Sequence, residues 1–202
     1  MPLPRLIAVA GIMGSGKTTL ARALAERLRF RYFPESLPAL EYLTDLFRDR
    51  ARWSFDTQVA FLTYKSLQLL RATRDGNDVV LDRSLYEDAE IFARHFFEKA
   101  EMDARSYETY KALASHFINA IPCPDIVLEC ICTSDVAKRR IASRGREHQA
   151  RYPDGHVEEL NDRYKVWRED YSHGPFFTID GDSVDGVYIH SGRELIAPLQ
   201  ST

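Results

Sequence analysis

The sequence predicts an α/β fold: a five-stranded parallel sheet with helices on both faces. Three observations predict it. Leu6–Ala10 (LIAVA) is an unbroken apolar run, as a strand buried on both faces requires. A glycine loop, GIMGSGKT (Gly11–Thr18), and then TLARALAERL follow it, with Leu20, Leu24 and Leu28 on one helical face. Further apolar runs at Val79–Leu81, Asp125–Ile131 and Phe176–Ile179 are separated by stretches of helical periodicity, the alternation that builds parallel sheets.

Taken in order, Arg29–Phe33 reads as a second short strand ending at Pro34-Glu35-Ser36. Leu37, Leu40, Leu43 and Leu46 mark a helix, and Phe55 to Leu70 another. Asp75-Gly76-Asn77-Asp78 is a turn leading into Val79-Val80-Leu81, with Asp82 at that strand's carboxyl end. Helices are expected over Tyr86–Lys99 and Arg105–Ala120, the second closed by Pro122 and Pro124. After the strand Asp125–Ile131, Ser134 or Asp135 caps a helix over Val136–Ser143. Arg144–Gly155 is polar and arginine-rich, hence a loop; Val157–Tyr171 is a helix, Phe176–Ile179 the fifth strand and Val187–Ile189 a strand-like piece of the tail.

The loop fits Gly, four residues, Gly, Lys, then Ser or Thr. Gly11, Gly14 and Gly16 let the backbone turn and present N–H groups to phosphate oxygens, with Ser15 and Thr19 in the same cradle. The helix N-terminus adds partial positive charge. Lys17 reaches the β/γ-phosphates and Thr18 offers its hydroxyl to Mg²⁺. The pattern implies nucleoside triphosphate binding. The alternative is a Gly-rich turn that only starts a helix, and the flanking strand and helix argue against it. Asp82 then suits a metal-holding acid, directly or through water, against the alternative of a helix-capping Asp. Arg83, Arg140, Arg144 and Arg146 form a second basic group, read as a clamp on the triphosphate or as a solvated basic face.

Composition limits the rest. A chain of 202 residues fits one domain, and a net charge of −3 gives no general attraction to nucleic acid or membranes. The three cysteines, Cys123, Cys130 and Cys132, contain no CxxC pair, so buried reduced thiols in a cytoplasmic protein are expected. The apolar start is too short for a signal peptide and runs straight into the phosphate loop, and no segment reaches the length of a membrane span.

GIMGSGKTT, Glu35 after the second strand, RWSFDTQ (Arg52–Gln58), DRSLYED (Asp82–Asp88) and RGR (Arg144–Arg146) together resemble the deoxyribonucleoside kinase family, over roughly Leu6 to Ile179. The resemblance implies a three-layer P-loop kinase fold in one domain, with an arginine-rich lid at about 144–155. It implies ATP as donor, Mg²⁺, a deoxynucleoside acceptor and a homodimer. In it Glu35 is the base for the 5′-hydroxyl, worth about 10²–10⁴ in rate, with Arg83 beside it. Gln58, whose amide can pair an adenine or cytosine edge twice, reads the base with Lys65 and Asp88, and Phe92 stacks on it. That charged pair resembles the purine and deoxycytidine enzymes more than the thymidine ones. Two positions depart from the family pattern: Phe47 stands where a sugar-binding Tyr is usual and Gln149 where a Glu is usual, Glu147 being the nearest substitute. DRS also replaces the commoner ERS.

The expected activity is ATP-dependent 5′-phosphorylation of deoxyadenosine or deoxyguanosine. A monophosphate kinase of the thymidylate kinase type and a deoxycytidine-preferring kinase are the alternatives. The Asn-Lys-x-Asp signature of guanine-nucleotide switches is absent from the sequence.

Overall fold

The computed structural model describes residues 5–35, 41–145 and 154–182. Its sheet comprises β1 (Leu6–Ala10), β2 (Arg31–Phe33), β3 (Val79–Asp82), β4 (Ile126–Ile131) and β5 (Phe176–Asp180). They lie in the order β2-β3-β1-β4-β5, every neighbouring pair parallel. The central strand β1 is buried on both faces because helices cover both. Ile7 and Val9 face α1 (Lys17–Leu28) through Leu20, Ala21 and Leu24. Leu6, Ala8 and Ala10 point the other way. On that face lie α3 (Arg50–Arg74), α4 (Leu85–Glu87), α6 (Ala104–Ala120), α7 (Ser134–Arg144) and α8 (His156–Asp170). The chain crosses to opposite sides of β1 on leaving it and on returning to β4, so a crevice opens at its carboxyl end.

Several boundaries differ from the sequence reading for identifiable reasons. β2 begins two residues later than expected because Arg29 (φ 59) closes α1 in the left-handed region. The helix expected from Leu37 is described as α2 (Glu41–Arg48), residues 36–40 lying outside the described residues. α3 starts five residues before Phe55, since the Asp49 side chain accepts from Arg52 N and sets its first turn. α7 is capped by Thr133, not by Ser134 or Asp135. Cys123 is exposed rather than buried, its thiol donating to the His173 carbonyl at 2.7 Å; Cys130 and Cys132 are buried and all three are free. The single helix expected over Tyr86–Lys99 is α4, a π turn (Asp88–Ala93) and α5 (Arg94–Glu98). A π turn widens the backbone ring by one residue and is common where side chains are aimed at a site. The expected tail strand Val187–Ile189 lies outside the described residues.

Close backbone contacts fix the glycine loop. A Cβ on Gly14 (φ +83) would stand 2.7 Å from the Ala137 carbonyl oxygen on α7. One on Gly181, just past β5, would stand 2.6 Å from the Ser15 carbonyl oxygen. Gly14→Ala combines a clash with left-handed strain, a cost of about 2 kcal/mol or more. Gly145→Ala, with φ +58 and open space around its Cβ, carries strain alone, about 1 kcal/mol. Urea unfolding of the two variants separates these costs, and equal losses would mean that α7 yields freely to the loop.

Candidate active site

The site begins where β1 ends. Gly16 takes φ 100 as the N-cap of α1, no side chain caps the helix and its first turn holds no acid. The first-turn N–H donors are left for an anion. Lys17 is buried at this point. Burial pushes its pKa down, as does the nearby Arg83 charge, while Glu35, Asp82 and Glu87 oppose the shift. Thr18 Oγ1 donates to Asp82 Oδ2 at 2.6 Å, and the Tyr32 hydroxyl donates to the same oxygen at 3.2 Å. Asp82 Oδ1 is buried without a hydrogen bond, an oxygen left for a cation or its water. Among the described residues no group of three or more His, Cys, Asp or Glu can hold a metal by itself. A cation here relies on phosphate and water oxygens as well, which suits Mg²⁺ and its preference for retained waters.

After β3 the chain turns at Arg83, whose φ of 74 is unusual for a residue with a side chain and costs about 1–3 kcal/mol. The turn is held by the Arg83 N–H donating to the Val9 carbonyl at 3.0 Å and by a capping box, Ser84 with Glu87, that starts α4. So aimed, the Arg83 guanidinium meets Glu35 at 2.9 Å and lies 4.4 Å from the Phe92 ring centre. Burial disfavours its charge, but Glu35, Tyr164, Glu87 and Asp88 outweigh that and hold the guanidinium ionised.

Deeper in, the Lys65 ammonium donates to Asp88 Oδ2 at 2.5 Å, the Lys65 side chain being wholly shielded from solvent. Burial pushes the Asp88 pKa up; Lys65 and Arg83 counter it. Gln58 is buried with Oε1 unpartnered. A cavity of about 310 Å³ joins these parts. Lys17, Thr18, Thr19, Glu35 and Arg83 lie at its phosphate-loop end, and Gln58, Asp88 and Phe92 line it too, with Phe47, Arg50, His95, Phe96, Arg144 and His156.

Most of the sequence-selected residues therefore converge. Lys65 stands behind Asp88 rather than on the cavity wall. Arg140 is engaged elsewhere: its guanidinium donates to the carbonyls of Gly181 at 2.6 Å, Gly14 at 3.4 Å and Asp182 at 3.4 Å, tying the loop to the end of β5. Arg146, Glu147 and Gln149, with most of the expected lid, lie outside the described residues.

Sequence reasoning missed four residues. Glu87 was legible as the fourth member of Ser84-x-x-Glu87. Arg50, which pairs with Glu101 at 3.2 Å, and the histidines His95 and His156 carried no signal, because nothing in their spacing brings α3, α5 and α8 together. The imidazole centres are 5.6 Å apart. Burial first, then Arg163 for His95 and Arg50 for His156, push both pKa values down to about 4.

A phosphate loop and an Arg-paired carboxylate lining one cavity define a P-loop phosphotransferase, a kinase acting on a small acceptor. Residues 7–198 match the profile of the deoxynucleoside kinase family, and the chain belongs to that family. It is 32% identical to the deoxyadenosine/deoxycytidine kinase of Bacillus subtilis, over 92% of this chain and 86% of that one. It is 30% identical to the deoxyguanosine kinase of Lactobacillus johnsonii, over 94% and 88%. The structure of deoxyadenosine kinase from M. mycoides with bound dATP superposes with a TM-score of 0.83 at 25% identity, covering 95% of this chain and 98% of that one.

The histidines yield a pH test. Unfolded imidazole takes its proton near pH 6.5, the folded pair only near 4. Between those values the unfolded state binds more protons, so stability falls as pH is lowered through that window, by up to about 1.4 kcal/mol per pH unit for each imidazole. His95 faces Glu159, Arg163, Lys99 and Arg50. Urea midpoints measured from pH 7 to 5 should fall less steeply in His95→Asn than in the parent; identical slopes would place the folded pKa of His95 at its ordinary value.

Proposed function

We propose that the protein transfers the γ-phosphoryl group of ATP to the 5′-hydroxyl of a purine deoxynucleoside, deoxyadenosine foremost. The observation that carries this reading is Glu35 held by Arg83 at 2.9 Å in the cavity that Lys17 of the phosphate loop and Gln58 also line. In that position Glu35 takes the hydroxyl proton as attack begins, and Arg83 keeps the carboxylate ionised and aimed. Lys17 and the loop amides hold the donor phosphates and stabilise charge that develops on them. Thr18 and Asp82 fit Mg²⁺, which when bound neutralises phosphate charge. Arg144 at the cavity wall adds a cation on the donor side.

The base reading rests on which charge faces the cavity. Asp88 lines it and Lys65 does not. An ionised carboxylate only accepts hydrogen bonds, so an exocyclic amino group suits it and a carbonyl oxygen does not. The Gln58 amide adds a donor and an acceptor on the same edge. Adenine satisfies this arrangement, and guanine, with its O6, less well. Cytosine carries a comparable amino edge, so a deoxycytidine preference is the second reading; the curated relatives act on deoxyadenosine, deoxycytidine or deoxyguanosine by their names. A monophosphate acceptor would bring its own negative charge against Glu35, which disfavours the monophosphate kinase reading.

The reading includes a homodimer, for which exposed Tyr64, Leu67 and Leu70 on α3 and Leu113 on α6 supply apolar surface. It also includes a cytoplasmic setting, consistent with three free thiols, and one kinase domain.

Steady-state assays with the four deoxynucleosides, their ribose counterparts and the monophosphates test it. Deoxyadenosine should give the highest kcat/KM, and faster turnover of a monophosphate would overturn the acceptor assignment. Glu35→Gln should lower kcat by about 10²-fold or more while ATP affinity stays close to the parent's. Gln58→Ala should raise the nucleoside KM and remove about 1–3 kcal/mol of base discrimination; an unaltered base preference would remove Gln58 from the pocket assignment.

A further inference from the structure

Glu87 is fully buried, is not part of the cavity lining, and yet receives hydrogen bonds from three separate parts of the fold. Its Oε1 accepts from the Gly11 N–H at 3.3 Å and from the Tyr164 hydroxyl at 2.6 Å. Its Oε2 accepts from the Ser84 N–H at 2.7 Å and the Ser84 hydroxyl at 3.1 Å. Gly11 opens the phosphate loop, Ser84 follows the strained Arg83, and Tyr164 lies on α8, whose first residue, His156, lines the cavity. A carboxylate has about four acceptor positions, and here all four are used. Cap formation alone needs only the Ser84 arm. The other oxygen is spent on joining the capping box to the loop and to α8. Burial keeps the Tyr164 phenol protonated, hence a donor, by pushing its pKa well up. Burial pushes the Glu87 pKa up, while the Arg83 charge, the hydrogen bonds from Tyr164 and Ser84 and the Lys65 charge oppose that shift; its negative charge in turn favours the charged forms of Lys17 and Arg83.

We propose that Glu87 is a positioning residue for phosphoryl transfer: its carboxylate sets Gly11 and the Arg83–Ser84 turn at a fixed distance from each other and from α8. Donor phosphates, the Glu35–Arg83 pair and the cavity wall thereby share one reference point. The residue acts through those groups and does not contact substrate.

Glu87→Gln keeps the shape but replaces one acceptor oxygen with an N–H₂, which must face a backbone N–H, that of Gly11 or that of Ser84, whichever way the amide turns. Kinetics are normalised to folded enzyme, and binding of a non-hydrolysable ATP analogue is measured by calorimetry, so the outcome does not depend on which base is preferred. The expected result is a fall in kcat of about ten- to hundredfold, with the nucleoside KM within threefold of the parent. A kcat within twofold of the parent overturns the proposal, and so does an equal loss in kcat and in affinity for both substrates, the mark of general loosening. Tyr164→Phe removes only the α8 arm and keeps the ring, and it decides the matter if Glu87→Gln does not fold. It should lower kcat about three- to tenfold, with nucleoside KM kept; unchanged kcat in that variant also overturns the proposal.

Discussion

Burying several charges in one place is the constraint around which this structure is arranged. Lys17, Lys65 and Arg83 are buried with Asp82, Glu87 and Asp88, and Glu35 joins them at the cavity. Removing such groups from water costs several kcal/mol each unless partners and hydrogen bonds replace hydration. Partners replace much of it: Lys65 with Asp88, Arg83 with Glu35, Thr18 and Tyr32 on one oxygen of Asp82, and four donors on Glu87, while Asp82 Oδ1 is left without a hydrogen bond. Formally, three cations face four acids in this inner group. Arg22 and Arg144 line the same cavity. Cations of the cavity wall thus stand close to the acids of the inner group.

That charge cluster holds its geometry because backbone segments around it pack without side chains between them. Gly14 lies directly on the backbone of α7 and Gly181 on that of Ser15. Arg140 then bonds the carbonyls of both glycines, using on the fold a guanidinium that the sequence assigned to the nucleotide. The strain at Arg83 belongs to the same pattern. A residue with a positive φ persists where its surroundings over-determine it, and the Val9 carbonyl, the Ser84–Glu87 box and the pairing with Glu35 do so together.

How much was legible follows from the range of each signal. β1, β3, β4 and β5 and the phosphate loop were readable because apolar runs and glycine spacing are local. Glu35, Gln58, Asp88, Phe92 and Arg83 were found through motif order, and the structure gathers all five along one cavity. The π turn at Asp88–Ala93 was not readable, since the spacing of Ile91, Phe92 and Phe96 fits an ordinary helix, and its packing against α3, α6 and α8 is long-range. The cap Asp49 was passed over in favour of the apolar periodicity that follows it, and Thr133 in favour of its neighbours Ser134 and Asp135. His95 and His156 meet only because α5 and α8 do, a contact no spacing rule reports.

The order in which Lys65 and Asp88 stand ties the charge constraint to recognition. Either residue at the cavity wall would satisfy the pair electrostatically, but only a carboxylate offers acceptors there. With Lys65 enclosed behind it, the ammonium opposes the burial that pushes the Asp88 pKa up, and of the two side chains the carboxylate is the one that lines the cavity. Other residues of the lining differ in kind. Phe47 brings an unsubstituted ring, His95 and His156 are neutral near pH 7, and the Arg50 beside them is already paired with Glu101. Strong, oriented charge is thus concentrated at Lys17, at the Glu35–Arg83 pair and at Asp88. Those are the places where a displaced or unpaired partner costs most, whereas Phe47, His95, Phe96 and His156 contribute uncharged rings to the lining.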